Sequence, residues 1–182
     1  MRVFVFLMFG FVMIGGLNAA AQEPSDNEAA ASLPLRDDFE GELELNWQVV
    51  RPDPSHVSLT KHDGKLCITT QRGNLASGEA KNIHLLDLPE AASDYVVTTC
   101  LRGFRPTQMW QQAGLIFYTE DSDHLRYVCE YGNVRRPILN VVRQQSVGQR
   151  EIDNLPVPFA QVKFWLRVTK VDDVYYCASS DD

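Results

Sequence analysis

The sequence indicates an all-β protein, an antiparallel sandwich or barrel, and three observations lead to this prediction. Beyond residue 34, short segments rich in β-branched and aromatic residues recur at intervals of about 8 to 12 residues. Clusters of Gly, Pro, Asp and Asn separate these segments, as expected for turns. No window of a dozen residues carries an apolar stripe at helical spacing. Together these features are typical of antiparallel β architecture.

The clearest element is a predicted hairpin that begins at Trp110 and ends at Tyr131. Gln112–Tyr118 is apolar and aromatic, Thr119–Asp123 is an acidic turn, and His124–Tyr131 alternates strictly. Successive side chains on a strand point to opposite faces. One set on the second strand is therefore predicted to face a core: Leu125, Tyr127, Cys129 and Tyr131. The other set is predicted to form a mostly charged surface: His124, Arg126, Val128 and Glu130.

The remaining segments are also predicted to be strands, after a short leading segment at Asp38–Glu44. They are Trp47–Arg51, His56–Thr60, Lys65–Thr70, Asn82–Leu86, Asp94–Arg102, Ile138–Gln145, Val162–Lys170 and Asp173–Ser179. A break at Pro156-Val157-Pro158 precedes the last two strands. Only Ser179–Asp182 follows this final hairpin, so we expect the chain to be short of the domain's last strands and to leave an exposed sheet edge.

The first 21 residues have the features of a secretory signal peptide. Arg2 supplies a basic start, Val3–Leu17 is an almost unbroken apolar run, and Asn18–Ala21 provides small residues for cleavage after Ala21. The apolar run is shorter than the roughly 20 residues that a membrane-spanning helix needs. We therefore predict a secreted or periplasmic protein, with residues 22–34 as a flexible linker and residues 35–182 as the folded domain.

Charge and cysteine content narrow the possible partners. The formal net charge is -7, and loss of Arg2 with the signal peptide makes it -8, which disfavours nucleic acid and anionic membrane surfaces. No second apolar segment is predicted to span a membrane. Four cysteines lie far apart without metal-ligand spacing, namely Cys67, Cys100, Cys129 and Cys177. Three complete disulfide pairings and a set of free buried thiols all stay open.

Several motifs resemble a known family. They are Asp37-Asp38-Phe39, Trp47, Arg51–Leu59, Gly64-Lys65-Leu66, Gln112–Tyr118, Glu130-Tyr131, Trp165-Leu166-Arg167-Val168 and Tyr175–Asp181. These motifs resemble the concanavalin A-like domain at the C-terminus of family 43 β-xylosidases, and a stand-alone bacterial family long labelled a domain of unknown function. The resemblance covers Leu35–Asp182. It implies a two-sheet jelly roll of the lectin and glucanase type, in which one sheet forms a concave face that holds glycans.

The central hairpin supplies candidate sugar-binding residues. Pyranose rings stack on aromatic side chains, and sugar hydroxyls pair with amides and charged groups. The candidates are Trp110, Gln111, Gln112, Tyr118, His124, Arg126, Glu130 and Asn133. Arg126 and Glu130 also fit a solvated ion pair of little energetic weight. We predict an exported, non-catalytic domain that binds a polysaccharide or oligosaccharide, or that assists polysaccharide breakdown.

Two other functions stay open. A retaining glycoside hydrolase needs two carboxylates about 5 to 5.5 Å apart. Glu42 and Glu44 have the required i, i+2 spacing, but they lie in the leading segment without further acids or aromatic framing. The second alternative is a structural or protein-interaction sandwich without a glycan ligand. No cofactor is predicted, apart from a structural calcium ion at Asp37 and Asp38.

Overall fold

The computed structural model describes residues 2–6, 12–15, 34–88, 94–132, 135–146, 148–156 and 163–181. A short 3-10 turn spans Pro54–His56, between β4 and β5. The strands are β1 (Arg2–Phe6), β2 (Val12–Gly15), β3 (Leu35–Asp37), β4 (Trp47–Val50), β5 (Val57–Ser58), β6 (Cys67–Ile68), β7 (Ile83–Asp87), β8 (Tyr95–Arg102), β9 (Gln112–Glu120), β10 (Asp123–Tyr131), β11 (Pro137–Gln145), β12 (Gly148–Pro156), β13 (Lys163–Val171) and β14 (Val174–Ser180).

The strands form two sheets that pack face to face. The large sheet has the order β12-β11-β10-β9-β1-β7-β4, and the small sheet has the order β14-β13-β8-β2-β3. A separate pair, β5 and β6, lies beside them. Apolar side chains of both sheets meet in one core, and the Phe117 ring lies 6.2 Å from Tyr95 and 5.2 Å from Tyr175. Each sheet contributes one face to this shared core, and the fold is therefore a β-sandwich.

The two N-terminal strands occupy interior positions in these sheets. β1 pairs antiparallel with β9 on one side and with β7 on the other. β2 lies in the same way between β8 and β3. Both strands fall within the predicted signal peptide, and the rest of residues 1–33 lies outside the described residues. Cleavage after Ala21 and the linker at residues 22–34 therefore stay predictions.

The all-β sandwich prediction is confirmed, and most predicted strands occur with slightly different ends. The central hairpin is β9 and β10, whose turn at Asp121–Ser122 is shorter than the predicted Thr119–Asp123. The leading segment Asp38–Glu44 is a loop after β3. β12 was not predicted, because its sequence is polar and lacks the apolar alternation of the other strands. As expected, β14 forms a sheet edge.

Asp37 is buried at the start of the loop that follows β3. Its carboxylate accepts hydrogen bonds from the backbone N–H groups of Phe39, Glu44 and Leu45, and from Trp47 Nε1 at 2.6 Å. The carboxylate therefore anchors this loop, whereas Asp38 pairs with Arg36 at the surface. Within the described residues, no cluster of three or more His, Cys, Asp or Glu side chains could hold a metal ion.

The four cysteines are free thiols in this structure. Cys67, Cys100 and Cys129 are buried, and Cys177 is half-buried. Burial, together with the nearby Glu130 charge, raises the pKa of Cys129 to about 12. Cys129 therefore acts as a small apolar core residue. The described part of the chain has no helix long and apolar enough to cross a membrane.

Candidate functional site

The face of the large sheet that points away from the core is covered by loops. We call it the second face; on β10 it consists of His124, Arg126, Val128 and Glu130, none of which is more than 8% exposed. The prediction of a charged surface in contact with solvent is therefore wrong. The assignment of opposite faces is right for Leu125, Tyr127 and Cys129, which lie in the core, while Tyr131 is half-buried at the strand end.

A loop from an earlier part of the chain covers one part of the second face. Ile83, Leu85, Ile116 and Tyr118 form a small apolar cluster there, and Leu75 and Ala80 pack against it. These two residues belong to the segment 69–82, which connects β6 to β7. Alternation within β10 reports which residues share a face, but only the tertiary fold brings this loop over it.

A cavity of about 600 Å³ lies beside this covered region. The strands contribute seven residues to its lining: Ile68, Ile83, Gln112, Leu115, Ile116, Arg126 and Val128. Two loops complete it, with residues 69–73, 75, 80 and 81 on one and residues 108–111 on the other. Its volume is in the usual range for small-molecule sites, about 300 to 1,000 Å³. Apolar surface, amides and basic groups are thus combined in one concave site.

Asp53 holds the first loop in place. Its carboxylate accepts hydrogen bonds from Ser55 Oγ at 2.6 Å, Gln71 Nε2 at 2.8 Å and Lys81 Nζ at 3.3 Å. Its backbone N–H donates to Asn82 Oδ1 at 2.6 Å, and Asn82 Nδ2 donates to the Asp53 carbonyl at 3.1 Å. The Ser55 hydroxyl first, and then Gln71, hold the pKa of the Asp53 carboxyl well below its usual range. Gln71 is thereby positioned at the cavity, which Lys81 also lines.

Gln111 organises the second loop. Its side-chain oxygen accepts hydrogen bonds from the backbone N–H groups of Thr107 and Gln108 at 2.8 and 3.1 Å. The backbone of Gln111 and Trp110 then pairs with Tyr131, since Tyr131 N–H donates to the Gln111 carbonyl and Trp110 N–H donates to the Tyr131 carbonyl. These bonds connect the loop to the end of β10, next to the cavity.

Trp110 is unusual in both backbone and exposure. Its φ is +70°, in the left-handed region that a bulky residue rarely adopts. Its side chain lines the cavity, yet the residue is 52% exposed. Strained backbone conformations of this kind cluster at functional sites, and here the strain accompanies a large aromatic side chain that is exposed to solvent. The neighbouring Met109 is 47% exposed and extends this apolar rim.

A bidentate ion pair fixes the β9–β10 turn against the end of β4. Arg51 Nη1 and Nη2 donate to the two carboxylate oxygens of Asp121, each at 2.8 Å, and Tyr118 Oη donates to Asp121 at 2.9 Å. Burial alone raises the pKa of the Asp121 carboxyl, but the hydrogen bonds from Arg51 and Tyr118 outweigh it and lower the pKa. Tyr118 is thus a structural side chain, bonded away from the cavity.

Arg126 and His124 lie together on the second face. Arg126 Nη1 is 3.0 Å from His124 Nε2, and both residues are buried. Burial, followed by the Arg126 charge, lowers the pKa of His124 to about 4. The imidazole is therefore neutral at pH 7, and Nε2 can accept a hydrogen bond from the guanidinium. Arg126 carries the positive charge of this pair and also lines the cavity.

Glu130 belongs to a polar network at the far end of β10. Its carboxylate accepts hydrogen bonds from Gln112 Nε2 and from Asn140 Nδ2, the latter at 2.9 Å. The sequence predicted a solvated ion pair between Glu130 and Arg126. Glu130 is instead 2% exposed, and its carboxylate binds two side-chain amides. The network fixes the orientation of Gln112, which does line the cavity.

Four of the sequence-based candidates come together at the cavity, and the others do not. Trp110, Gln111, Gln112 and Arg126 line it. Tyr118, His124 and Glu130 support the surrounding structure, and Asn133 lies outside the described residues. Sequence reasoning missed these lining residues of the two loops: Gln71, Arg72, Lys81, Gln108 and Met109. In the sequence, the glutamines on both sides of Trp110 indicate a polar site, whereas the sequence of the first loop carries no comparable pattern.

The carboxylates considered for hydrolysis lie elsewhere. Glu42 and Glu44 are exposed in the loop after β3 and do not line the cavity. The i, i+2 rule for a shared face applies to strands, and this segment is not one.

Comparison with known proteins agrees with this fold. A family model described as the β-xylosidase C-terminal concanavalin A-like domain matches residues 36–182. The solved structure of the GH43 protein BlXynB from Bacillus licheniformis is similar with a TM-score of 0.71 and 25% identity, and a mutant of the same protein gives 0.71 and 26%. Each match covers 79% of this chain and 27% of the solved chain. No match occurs among curated proteins.

Proposed function

Because the chain belongs to the family of β-xylosidase C-terminal concanavalin A-like domains, we propose that it is an exported, non-catalytic domain that binds carbohydrate or assists polysaccharide breakdown. The cavity on the second face of the large sheet is the observation on which this proposal depends. The chain covers 27% of its solved relatives, so the activity of those whole proteins is not transferred with the fold.

The chemistry of the cavity supports a sugar ligand. Trp110 offers an exposed aromatic surface at the rim, on which the apolar face of a pyranose ring can stack. Gln71, Gln108 and Gln112 supply amides that both donate and accept hydrogen bonds, as vicinal hydroxyls require. Ile116 and Val128 add apolar contact surface. Such a mixture of one aromatic side chain, several amides and aliphatic groups suits a molecule that is amphipathic over short distances.

The residues of this site are better suited to binding a sugar than to hydrolysing a glycosidic bond. Retaining and inverting glycosidases use a pair of carboxylic acids beside the scissile bond. Glu130, the buried acid of the second face, is bound to Gln112 and Asn140 and lies in a structural network. Glu42 and Glu44 are exposed on a distant loop. The residues that do line the cavity have the chemistry of recognition.

Export is the second part of the proposal. The basic residue Arg2, the apolar run Val3–Leu17 and the small residues before Gln22 support a signal peptide. A domain that binds polysaccharide has its ligand outside the cytoplasm, so this location fits the proposed ligand class. Expression with its own N-terminus, followed by fractionation and mass determination of the mature chain, tests both the location and the cleavage after Ala21.

A glycan array followed by calorimetry tests carbohydrate binding directly. The purified protein is compared with Trp110→Ala and Gln112→Ala, and with Tyr176→Ala as a matched control. Tyr176 is 59% exposed on β14 of the small sheet and does not line the cavity. We expect Trp110→Ala to weaken binding by roughly fivefold, because stacking contributes about 1 kcal/mol, while the control stays unchanged. Absence of binding to every plant, algal and bacterial polysaccharide, or equal binding by Trp110→Ala, would overturn the proposal.

A further inference from the structure

We propose that the cavity selects a saccharide that bears a carboxylate, such as a uronic acid unit, over a neutral sugar. This inference rests on the proposed carbohydrate-binding function and specifies its ligand class. Three basic residues, Arg72, Lys81 and Arg126, line the described part of the cavity wall together with amides and apolar groups. Two of them come from the first loop and one from β10, so the fold brings them together from distant parts of the sequence.

The charge of the cavity runs against the charge of the whole protein. The chain has 24 acidic and 17 basic residues and a formal net charge of -7. A random patch on such a protein is expected to be acidic on balance. The charged side chains that line the cavity, Arg72, Lys81 and Arg126, are instead all basic, so this site is expected to favour anions. A neutral oligosaccharide would gain no binding energy from this positive electrostatic potential.

Arg126 is the residue best suited to recognise a carboxylate. It is 8% exposed, and its position on a central strand of the sheet limits its movement. Its guanidinium lies against the neutral imidazole of His124, which leaves the positive charge on Arg126. A planar guanidinium matches a carboxylate through two parallel hydrogen bonds, and such bonds strengthen away from bulk water. The neighbouring Gln112 and Ile116 can hold the sugar ring that carries this group.

Lys81 and Arg72 complement this group from the first loop. Both are exposed residues, so they retain the mobility of surface side chains. Lys81 contacts Asp53 at 3.3 Å, but an exposed pair of this kind contributes little energy, and Asp53 also holds Ser55 and Gln71. Lys81 can therefore exchange Asp53 for a ligand carboxylate at low cost. Arg126 is thus expected to give specificity, and the two loop residues to increase the rate of association.

The test uses ligand pairs that differ only in charge. One pair is an oligogalacturonate and its methyl ester; the other is a xylo-oligosaccharide with and without a glucuronic acid branch. Calorimetry with the purified protein is expected to show at least roughly tenfold tighter binding of one acidic member, falling as salt rises from low to physiological concentration. Tighter or equal binding of the neutral member of both pairs would overturn the charge selection and leave carbohydrate binding intact. Absence of binding to all four ligands would overturn the inference, and the glycan array then decides separately on the proposed function.

Variants that each remove one positive charge test whether the cavity causes the preference for acidic ligands. Lys81→Gln and Arg72→Gln each remove one charge from the exposed first loop, and Arg36→Gln removes the same charge from an exposed position on β3. We expect each loop variant to weaken binding of the acidic ligand by roughly three- to tenfold and to leave the neutral ligand unchanged. Arg126→Gln is expected to remove the preference, with far-UV circular dichroism to check folding. An equal effect of Arg36→Gln would show that overall charge, and not the cavity, causes the preference.

Discussion

Removal of residues 1–21, as cleavage of the predicted signal peptide would cause, is expected to destabilise the sandwich as it is described. β1 pairs with five residues of β9 and three of β7, and β2 pairs with four residues of β8 and three of β3. An intramolecular hydrogen bond contributes about 1 kcal/mol net. An antiparallel ladder has about one bond per residue pair, so loss of these two interior strands removes on the order of 10 kcal/mol. Such a loss is comparable to the whole stability of a domain, about 5 to 15 kcal/mol.

Equilibrium unfolding in urea measures this effect. The full chain and a chain that begins at Gln22 are refolded side by side, and the shorter one is also refolded with an excess of a synthetic peptide of residues 2–15. We expect the shorter chain to unfold at a lower urea concentration or to self-associate through its open strand edges, and the peptide to restore part of the loss. A control peptide of the same composition in scrambled order distinguishes strand replacement from general apolar binding. Equal urea midpoints and slopes for the two chains would refute the reasoning.

Three further predictions concern single residues. Burial lowers the pKa of His124 to about 4 from an ordinary value near 6.5, so between these pH values the unfolded chain binds a proton that the folded protein does not. The free energy of unfolding from urea titrations should therefore fall by up to about 3 kcal/mol more in the parent protein than in His124→Gln as the pH drops from 7.5 to 4.5. Asp37→Asn should lower the free energy of unfolding by about 3 kcal/mol, because it loses the charge that accepts four N–H groups, whereas Asp38→Asn at the surface should cost less than about 1 kcal/mol in the same urea titration. Gly114→Ala should lower the thermal midpoint by several degrees, since its Cβ would lie 2.3 Å from the Tyr127 carbonyl oxygen; an unchanged midpoint would contradict this packing.

The hairpin shows why sequence predicted the fold so well. Strict alternation from His124 to Tyr131 assigns Leu125, Tyr127 and Cys129 to a buried face, and the structure places all three in the core. This information is local, because each side chain's direction follows from its neighbours. β12 carries no such alternation and was missed. It is the edge strand of the large sheet, where polar residues are tolerated and the apolar signal is weak.

The site was only partly predictable, because its walls come from different parts of the chain. Trp110, Gln112 and Arg126 were identified since they lie on or beside one hairpin. Arg72 and Lys81 lie in a loop between β6 and β7, and the packing of Leu75 and Ala80 against Ile116 and Tyr118 holds that loop on the hairpin. His124 and Glu130, which alternation alone assigned to a surface, are buried as well. Local pattern gives the direction of a side chain, and tertiary contacts decide what covers it.

The apolar run at the N-terminus illustrates a true ambiguity of sequence. A signal peptide needs continuous apolar character, and so does a strand that is buried on both faces. The position that β1 occupies is of the second kind, since Leu86, Leu115 and Phe117 lie on the core face of its neighbours and Leu85 and Ile116 lie on the second face. A strand there must be apolar at every residue, as Val3–Phe6 is. The same residues cannot serve in export and in the sheet of one molecule once cleavage has occurred. We therefore expect a domain cleaved after Ala21 to leave the position between β7 and β9 open to a strand that is apolar on both faces, and the peptide experiment measures how strongly that position binds one.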